Sequence, residues 1–267
     1  MSFNPENDLE RSLVNAANDP AFAPQFYRDL ARADLFIIQH GKQSPEKAER
    51  IITVKKGERI KIHNIEYKGK PHVPIFSSLT RLRATLDSTV TYLKINALAL
   101  LELTKGSPLL LNPGSDYGKE ITVEEAALIL DGSIWQPRER FVAQKETQVM
   151  IGEPANYPVE LVAALTGLFK NKKQVKRAWL AHFLNPERDK HPHTLIAIET
   201  TGSYDEIAAE VGIVASNANM PDPPLDIIQI TGREGGVEDY FLKKAKPFYE
   251  RRFGGLFERF RQTHPHK

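Results

Sequence analysis

The sequence predicts an α/β (α+β) protein made of two small mixed α/β domains, and three observations support this prediction. The chain has 267 residues, which fits two domains of about 150 residues better than one. Hydrophobic residues make up 41% and charged residues 26%, as in ordinary globular proteins. Short apolar runs alternate with amphipathic stretches along the chain. We expect one domain at residues 1–140, a second at 145–250 and a tail at 251–267.

Helices and short strands are expected to alternate in the first domain. Asn4-Pro5 and Asp19-Pro20 each combine a capping side chain with a proline at the first helical position, and so predict two opening helices. A third helix is expected at residues 96–103, and a fourth begins at the capping box of Thr122 and Glu125. Runs of apolar and β-branched residues predict strands at residues 35–38, 51–54, 60–67, 73–76, 90–93 and 109–111.

The second domain has a more regular order. Its predicted elements are a strand at 148–151, a helix at 159–169, strands at 175–183 and 194–199, a helix at 203–214 and a strand at 225–230. This βαββαβ order is that of the ferredoxin-like fold, the split βαβ arrangement. The residues before it, 132–148, lose their periodicity and contain Pro137, which favours a linker between the domains.

Composition and charge exclude several classes of function. The chain has no cysteine, which excludes disulfides, iron–sulfur clusters, thiolate zinc sites and cysteine nucleophiles. The net charge of +2 argues against binding of nucleic acid over the whole surface. The amino terminus is polar and no apolar run approaches the ~20 residues of a membrane span. We therefore expect a cytoplasmic protein without a signal peptide or a membrane segment.

A turn in the first domain is the main candidate for a ligand site. Ligands often dock beyond the carboxyl ends of strands in open α/β sheets, and this turn directly follows a short apolar strand. We predict a small anion-binding nest there, formed by Asn112, Gly114, Ser115 and Asp116. A purely structural turn is the simpler interpretation, because proline and glycine supply the dihedral angles of a tight turn. The glycine spacing and the lysine of a nucleotide-binding loop are also missing.

No template for catalysis or metal binding fits the chain. A Gly-x-Ser-x-Gly nucleophile elbow does not occur, and the pair Glu124-Glu125 lies in the first turn of a helix, where the helix dipole explains it. The histidines lack the His-Glu-x-x-His spacing of a zinc site. The histidines considered are His182, His191, His193, His264 and His266. We expect no catalytic residue, no metal and no cofactor.

The tail at residues 251–267 is basic and aromatic. Phenylalanines at helical spacing alternate with arginines, a pattern that can bind a partner groove, an acidic membrane or nucleic acid. The predicted partner-binding residues are Phe253, Phe257, Arg259 and Phe260. Gly254-Gly255 would cost such a helix about 2 kcal/mol relative to alanine, so it should form only when docked. We favour the alternative that the aromatic side chains pack on the protein's own second domain while the arginines reach solvent.

Several short motifs together resemble a known family. They are PIFSSLTRL at residues 74–82, LLNPGS at 110–115, IGEPA at 151–155, Tyr157-Pro158 and PFY at 247–249. In their order and spacing they resemble the two domains of the bacterial SseB family, which is named for a phenotype of enhanced serine sensitivity. Ser77 stands where threonine is expected and Trp179 where tyrosine is expected, and both keep the chemical character. The resemblance implies the fold and a link to serine sensitivity, and it brings no active site with it.

These observations leave three functions open. The leading hypothesis is a non-enzymatic adaptor or regulatory protein with a protein partner, because two ordinary folded domains carry no catalytic template. The second is a small-molecule sensor, since the βαββαβ order matches regulatory modules that bind amino acids. An enzyme of uncharacterised activity would need ionisable and polar groups to converge, and the candidates are Tyr27, Arg28, Arg81, Asn112 and Asp116. RNA binding has little support, because the central strands predicted for the second domain carry aliphatic side chains where stacking aromatics are needed.

Overall fold

The structure is a computed structural model that describes residues 3–38, 63–86, 92–137, 147–233 and 235–251. The chain divides into two compact units, unit 1 (Met1–Pro137) and unit 2 (Arg138–Lys267). Each combines helices with a mixed sheet, which confirms the predicted α/β (α+β) class. None of the described helices is both long enough and apolar enough to span a membrane.

Unit 1 is built from short helices and short strands. Its helices are α1 (Asp8–Asn18), α2 (Ala23–Arg32), α3 (Leu79–Thr85), α4 (Ala97–Leu103) and α5 (Val123–Leu130). Its strands are β1 (Asp34–Ile38), β2 (Ile65–Tyr67), β3 (Lys70–Phe76), β4 (Tyr92–Asn96), β5 (Leu109–Leu111) and β6 (Lys119–Ile121).

These strands form one sheet in the order β4-β1-β3-β5-β6, and β2 pairs with β3. Only β3 and β5 run parallel among the described pairs of this sheet. Parallel neighbours bring their carboxyl ends to the same edge, so Ser77 after β3 lies beside Asn112 after β5. On one face α3 packs Leu82 against Ile38 and Phe76. α4 contacts both α2 and α5.

Most local predictions for unit 1 are confirmed. The structure contains the predicted strands at residues 35–38, 73–76 and 109–111, the helix at 96–103 and the capping box of Thr122 and Glu125. The predicted helix start at Asn4-Pro5 is wrong. Asn7 caps α1 instead, because its side chain accepts a hydrogen bond from the Glu10 amide and leaves the first residues outside the helix.

Two strand predictions in unit 1 are only partly covered by the structure. The segment at 51–54 lies outside the described residues, and of the segment at 60–67 the structure describes β2 as a strand. Of the segment at 90–93 the structure describes residues 92 and 93, and both belong to β4. The sequence analysis missed α3 and β6.

Unit 2 contains a second mixed sheet. Its helices are α6 (Val159–Lys170), α7 (Tyr204–Asn217) and α8 (Val237–Lys243). Its strands are β7 (Met150–Gly152), β8 (Val175–Leu184), β9 (His193–Thr200), β10 (Leu225–Gln229) and β11 (Tyr249–Glu250). The sheet order is β10-β9-β8-β11, and β7 also pairs with β8. On one face, Phe241 of α8 packs with Trp179 and Leu195.

The predicted βαββαβ order of elements is present, but the ferredoxin-like arrangement is wrong. A split βαβ unit needs another strand between its two parallel strands. Here β9 and β10 are parallel and directly paired, and α7 connects them. β7 and β11 both lie on the outer side of β8. A strand of three residues such as β7 cannot fill a central position between longer strands, and it fits the edge instead.

Candidate functional site

The predicted ligand turn follows β5 and has a constrained backbone. Asn112 is buried and has a φ of +50°, in the left-handed region that asparagine tolerates better than most residues. Its amide donates to the carbonyl of Ile75 at 2.8 Å, which ties the turn to β3. The Ser115 amide donates to the Asn112 carbonyl at 3.2 Å. Of the amides predicted to form an anion nest, that of Ser115 is therefore used inside the turn.

The side chain of Asn112 points into the protein. Its Oδ1 accepts a hydrogen bond from the Ser77 amide at 2.9 Å, and its Nδ2 donates to Ser77 Oγ at 2.8 Å. Ser77 Oγ in turn donates to Glu10 Oε1 at 2.7 Å. These bonds join the carboxyl ends of β3 and β5 to the first turn of α1.

Glu10 is a fully buried carboxylate, and the largely buried guanidinium of Arg81 lies beside it. Arg81 of α3 binds it with both Nη2, at 3.0 Å from Oε2, and Nε, at 3.3 Å from Oε1. The Glu6 amide donates to Oε2 at 2.9 Å. Burial raises the pKa of Glu10, but the hydrogen bonds from Arg81, Glu6 and Ser77 outweigh it and hold the pKa below its ordinary value. Glu10 is therefore ionised at neutral pH.

Glu10, Ser77, Arg81 and Asn112 together form what we call the polar cluster. Phe3 covers it, with its ring centre 3.7 Å from the guanidinium carbon of Arg81. Each member is held by another member, so the cluster connects α1, α3 and two strand ends. Asn112 therefore has a structural role, which agrees with the structural interpretation of the turn.

The remaining residues of the predicted site lie on the outside. Gly114 and Asp116 are exposed and Ser115 is half-buried, so the nest formed by their backbone stays a prediction. Two candidates for an enzymatic site point elsewhere, because Tyr27 donates to Glu125 and Arg28 lies 4.9 Å from the centre of the Trp135 ring. Of the five candidates, the structure brings together Arg81 and Asn112.

A cleft of about 490 Å³ opens beside the polar cluster. Phe36 and Leu79 give it apolar surface. Charged side chains of both signs also line it, namely Asp8, Asp29, Arg32, Asp34 and Lys94. Lys94 and Asp34 pair at 3.4 Å. Such a lining suits a small molecule that carries both a positive and a negative group.

The helices of unit 1 expose large apolar side chains. Phe22, Leu98, Leu103 and Leu128 are each about two-fifths exposed, and we call them the helical apolar patch. Phe22 leads into α2, two leucines belong to α4 and one to α5, and α4 contacts both other helices. Exposed large apolar side chains on neighbouring helices are candidates for a protein interaction site.

The last described residues fasten the chain to α6. Tyr249 Oη donates to the Phe169 carbonyl at 2.9 Å. The guanidinium of Arg251 donates to the carbonyls of Phe169 at 3.0 Å, Lys172 at 2.7 Å and Val175 at 3.1 Å. A cation at a helix carboxyl end is favourable because the last carbonyls are unpaired and carry partial negative charge. The predicted partner-binding residues Phe253, Phe257, Arg259 and Phe260 lie outside the described residues, and that role stays a prediction.

Two histidines of unit 2 lie against carboxylates. His193 is buried, and its Nε2 lies 3.0 Å from a carboxylate oxygen of Asp226. Arg188 binds both Asp226 and Asp189. Burial raises the pKa of Asp189, but the hydrogen bonds from Arg188 and the Asn185 amide and the charge of Arg188 together outweigh it and leave that pKa below the usual value. His182 pairs with Asp222 at 2.9 Å.

A metal site does not emerge from the histidines that are described. Within residues 3–38, 63–86, 92–137, 147–233 and 235–251, no three metal-binding side chains are grouped so that they could hold an ion. His264 and His266 lie outside these ranges.

The sequence analysis missed the most buried part of the polar cluster. Glu10 follows Leu9 in α1. A glutamate next to the apolar face of an amphipathic helix normally reaches solvent. Arg81 lies in the PIFSSLTRL motif, and nothing local shows that its partner is 71 positions away. The only usable signal was the position of Ser77 and Asn112 in the two motifs.

Comparisons with known proteins agree with one another. The SseB protein N-terminal domain matches residues 9–127, and the SseB protein C-terminal domain matches residues 143–251. The proteins named Protein SseB from Escherichia coli (strain K12) and from Shigella flexneri are each 30% identical over 261 residues, which covers 97% of this chain and 97% of theirs. No solved structure matches.

Proposed function

The chain belongs to the SseB family, and on that premise we propose that it is a non-enzymatic adaptor or regulatory protein of the cytoplasm that acts by binding another protein. The link of the family name to serine sensitivity supports a role for this regulation in amino-acid metabolism. The observation that carries the proposal is the helical apolar patch, which presents four large apolar side chains on neighbouring helices of unit 1.

The polar cluster supports the same proposal. Its serine, carboxylate, guanidinium and amide are types of group that enzymes use, yet here they bind one another below the surface. A catalytic group must be able to touch a substrate, and Glu10 is fully buried while Ser77 and Asn112 are nearly so. We therefore assign these residues to stability rather than to chemistry.

A pull-down with surface variants tests the adaptor role. We expect the full-length protein, purified gently from cells, to carry a stoichiometric partner that is lost in the double variant Leu98→Glu/Leu103→Glu. Both leucines are exposed, so the charges should leave the fold intact. Val159→Glu is the matched control, because Val159 is an exposed aliphatic residue of a helix in unit 2.

Two outcomes would contradict the adaptor proposal. One is the repeated recovery of free protein, with or without crosslinking before lysis. The other is recovery of the same partner in equal amount with the double variant, which would show that the helical apolar patch does not bind the partner.

The cleft of unit 1 favours a second function, the sensing of a small amino acid. Arg32 and Lys94 offer positive charge and Asp8, Asp29 and Asp34 offer negative charge around apolar surface. A zwitterion needs both. A thermal-shift panel of the twenty amino acids tests this function, since a ligand at a hundred times its Kd stabilises by about 2.7 kcal/mol. The absence of a thermal shift with every amino acid, or an equal thermal shift in Arg32→Ala, would contradict this sensing function.

A further inference from the structure

A cleft in unit 2 lies where α/β sheets commonly bind ligands. β9 and β10 are parallel neighbours connected by α7; β9 ends at Thr200, and Ile230 follows β10. β8 runs antiparallel to β9, so its amino end, with Arg177, lies at the same edge. A cleft of about 320 Å³ opens there. Ligands of open α/β sheets bind beyond the carboxyl ends of such strands.

A bulge in β8 places two cations on this cleft. Val175 pairs with Thr200 and Arg177 pairs with Glu199, so Lys176 is an extra residue without a partner in the ladder. In a regular strand, neighbouring side chains point to opposite faces. With the bulge, both Lys176 and Arg177 approach the carboxylate of Glu199, at 3.6 Å and 2.6 Å, and both line the cleft.

The guanidinium of Arg177 is held so that its terminal nitrogens remain available. Its Nε donates to Glu199, and its central carbon lies 4.9 Å from the centre of the Trp179 ring. Among the described residues, no hydrogen bond from its two terminal nitrogens is found. A guanidinium fixed through Nε presents a fork of N–H groups that matches the two oxygens of a carboxylate or phosphate.

The other walls of the cleft are polar on one side and apolar on the other. Gln229 and Thr200 supply an amide and a hydroxyl, and Leu242 supplies apolar surface. The Thr231 hydroxyl and the amides of Thr231 and Gly232 already bind Glu238, so the loop after β10 keeps its shape without a ligand. The volume lies at the lower end for ligand sites, which fits a small metabolite better than a nucleotide.

We propose that this cleft binds the carboxylate or phosphate group of a small metabolite through Arg177 and Lys176. Glu199 orients Arg177. Lys176 adds a second positive charge, since its nitrogen lies 3.6 Å from Glu199 and is held only loosely by it. Gln229 contacts the polar remainder of the molecule. The site lies within unit 2 and does not depend on the adaptor role.

Tryptophan fluorescence of the full chain tests the proposal. The chain has two tryptophans, and Trp135→Phe leaves Trp179 as the reporter beneath Arg177. Inorganic phosphate, and in a second series acetate, replaces chloride at constant ionic strength. We expect a saturable change with at least one anion, and the stronger of the two identifies phosphate or carboxylate as the natural group. A change that is linear or absent with both anions would overturn the proposal.

Variants distinguish this site from general ion binding. Arg177→Ala should weaken binding at least about tenfold, and Lys176→Ala roughly threefold, because charge-assisted hydrogen bonds are lost. Arg177→Lys should restore part of the affinity, since it keeps the charge without the fork. Arg83→Ala is the control, because Arg83 is an exposed arginine of unit 1. Equal binding by the wild type and Arg177→Ala would overturn the proposal. If Arg177→Ala were too unstable to measure, equal binding by the wild type and Lys176→Ala would overturn it.

Discussion

Among the described strands each sheet contains one pair of parallel neighbours, and the carboxyl ends of the two pairs differ sharply. Beyond β3 and β5 in unit 1, the space is filled by Glu10 and Arg81, which bind each other and the strand ends. Beyond β9 and β10 in unit 2, Arg177 borders an open cleft. In unit 1 a carboxylate of the protein itself accepts the available hydrogen bonds. The comparison shows that a strand end is a candidate ligand site where the chain's own carboxylates leave N–H groups unused, as Glu199 leaves the terminal nitrogens of Arg177.

The largest effect is expected when the internal anion of unit 1, the carboxylate of Glu10, is removed. Glu10→Ala should lower the free energy of unfolding by about 3 to 5 kcal/mol, because it leaves the buried Arg81 without its partner. Urea denaturation followed by circular dichroism measures this. The control is Asp8→Ala, an exposed carboxylate of the same helix, with an expected change of roughly 0.5 kcal/mol or less. A loss below about 1 kcal/mol for Glu10→Ala would show that the Glu10–Arg81 pair does not stabilise the strand ends of unit 1.

Asn112→Ala removes the bridge between the two strand ends. The buried Ser77 amide loses its acceptor, which costs about 1 to 3 kcal/mol. Alanine also fits a φ of +50° poorly. Asn112→Gly separates the two effects in the same urea experiment, since glycine relieves the backbone but not the hydrogen bonds. If Asn112→Gly were as stable as the wild type, the side chain would have no structural role.

The polar cluster also predicts a dependence on pH. The pKa of Glu10 is lower in the folded chain than its ordinary value of 4.5. Its ionised form therefore stabilises the fold at pH values above that value, and this contribution is lost as the pH falls through the lower folded pKa. The stability difference between the wild type and Glu10→Gln should shrink on acidification below about pH 4.5. A difference that stays constant down to pH 3 would contradict the lowered pKa.

Replacing the arginine by alanine should cost more stability at the strand ends of unit 1 than at those of unit 2. Arg81→Ala leaves the buried Glu10 unpaired, whereas the side chain of Arg177 is 36% exposed and Lys176 stays near Glu199. We expect Arg177→Ala to change the free energy of unfolding by less than about 1 kcal/mol. Thermal unfolding of Arg81→Ala and Arg177→Ala measures this difference in stability. An equally large loss in both would mean that the edge of unit 2 is a structural ion pair as well.

The smallest effect is expected on the outside of the turn. Asp116→Asn alters an exposed side chain away from the polar cluster, so stability should change by no more than about 0.5 kcal/mol. Fluorescence titration with phosphate should also give the same result as for the wild type. A stronger response in Asp116→Asn, which has lost a negative charge beside the turn, would return the nest of unit 1 to consideration.

Local signals predicted the parts of the fold that local physics determines. The capping box of Thr122 and Glu125 and the apolar strand before Asn112 needed no distant partner, and both occur. α3 has seven residues with a single buried leucine, too few for a helical period to show. β7 and β11 are two or three residues long and are strands because β8 offers an edge.

The strand end that carries Asn112 is occupied by residues that local reasoning could not find. Asn112 does lie at the carboxyl end of a strand, as the sequence indicated. The groups that occupy that end come from α1 and α3, and only the folded chain brings Glu10 beside Arg81. The bulge at Lys176 is equally invisible, because Val175-Lys176-Arg177 gives no sign of which residue will be left out of the ladder.

The fastening of Tyr249 and Arg251 to α6 has a consequence for synthesis on the ribosome. The Phe169 carbonyl that Tyr249 binds leaves the ribosome 80 residues earlier than Tyr249 does. While α7 and α8 are still being made, the outer side of β8 lacks β11 and the end of α6 lacks its cation. Nascent unit 2 therefore exposes a strand edge to chaperones until its last strand emerges.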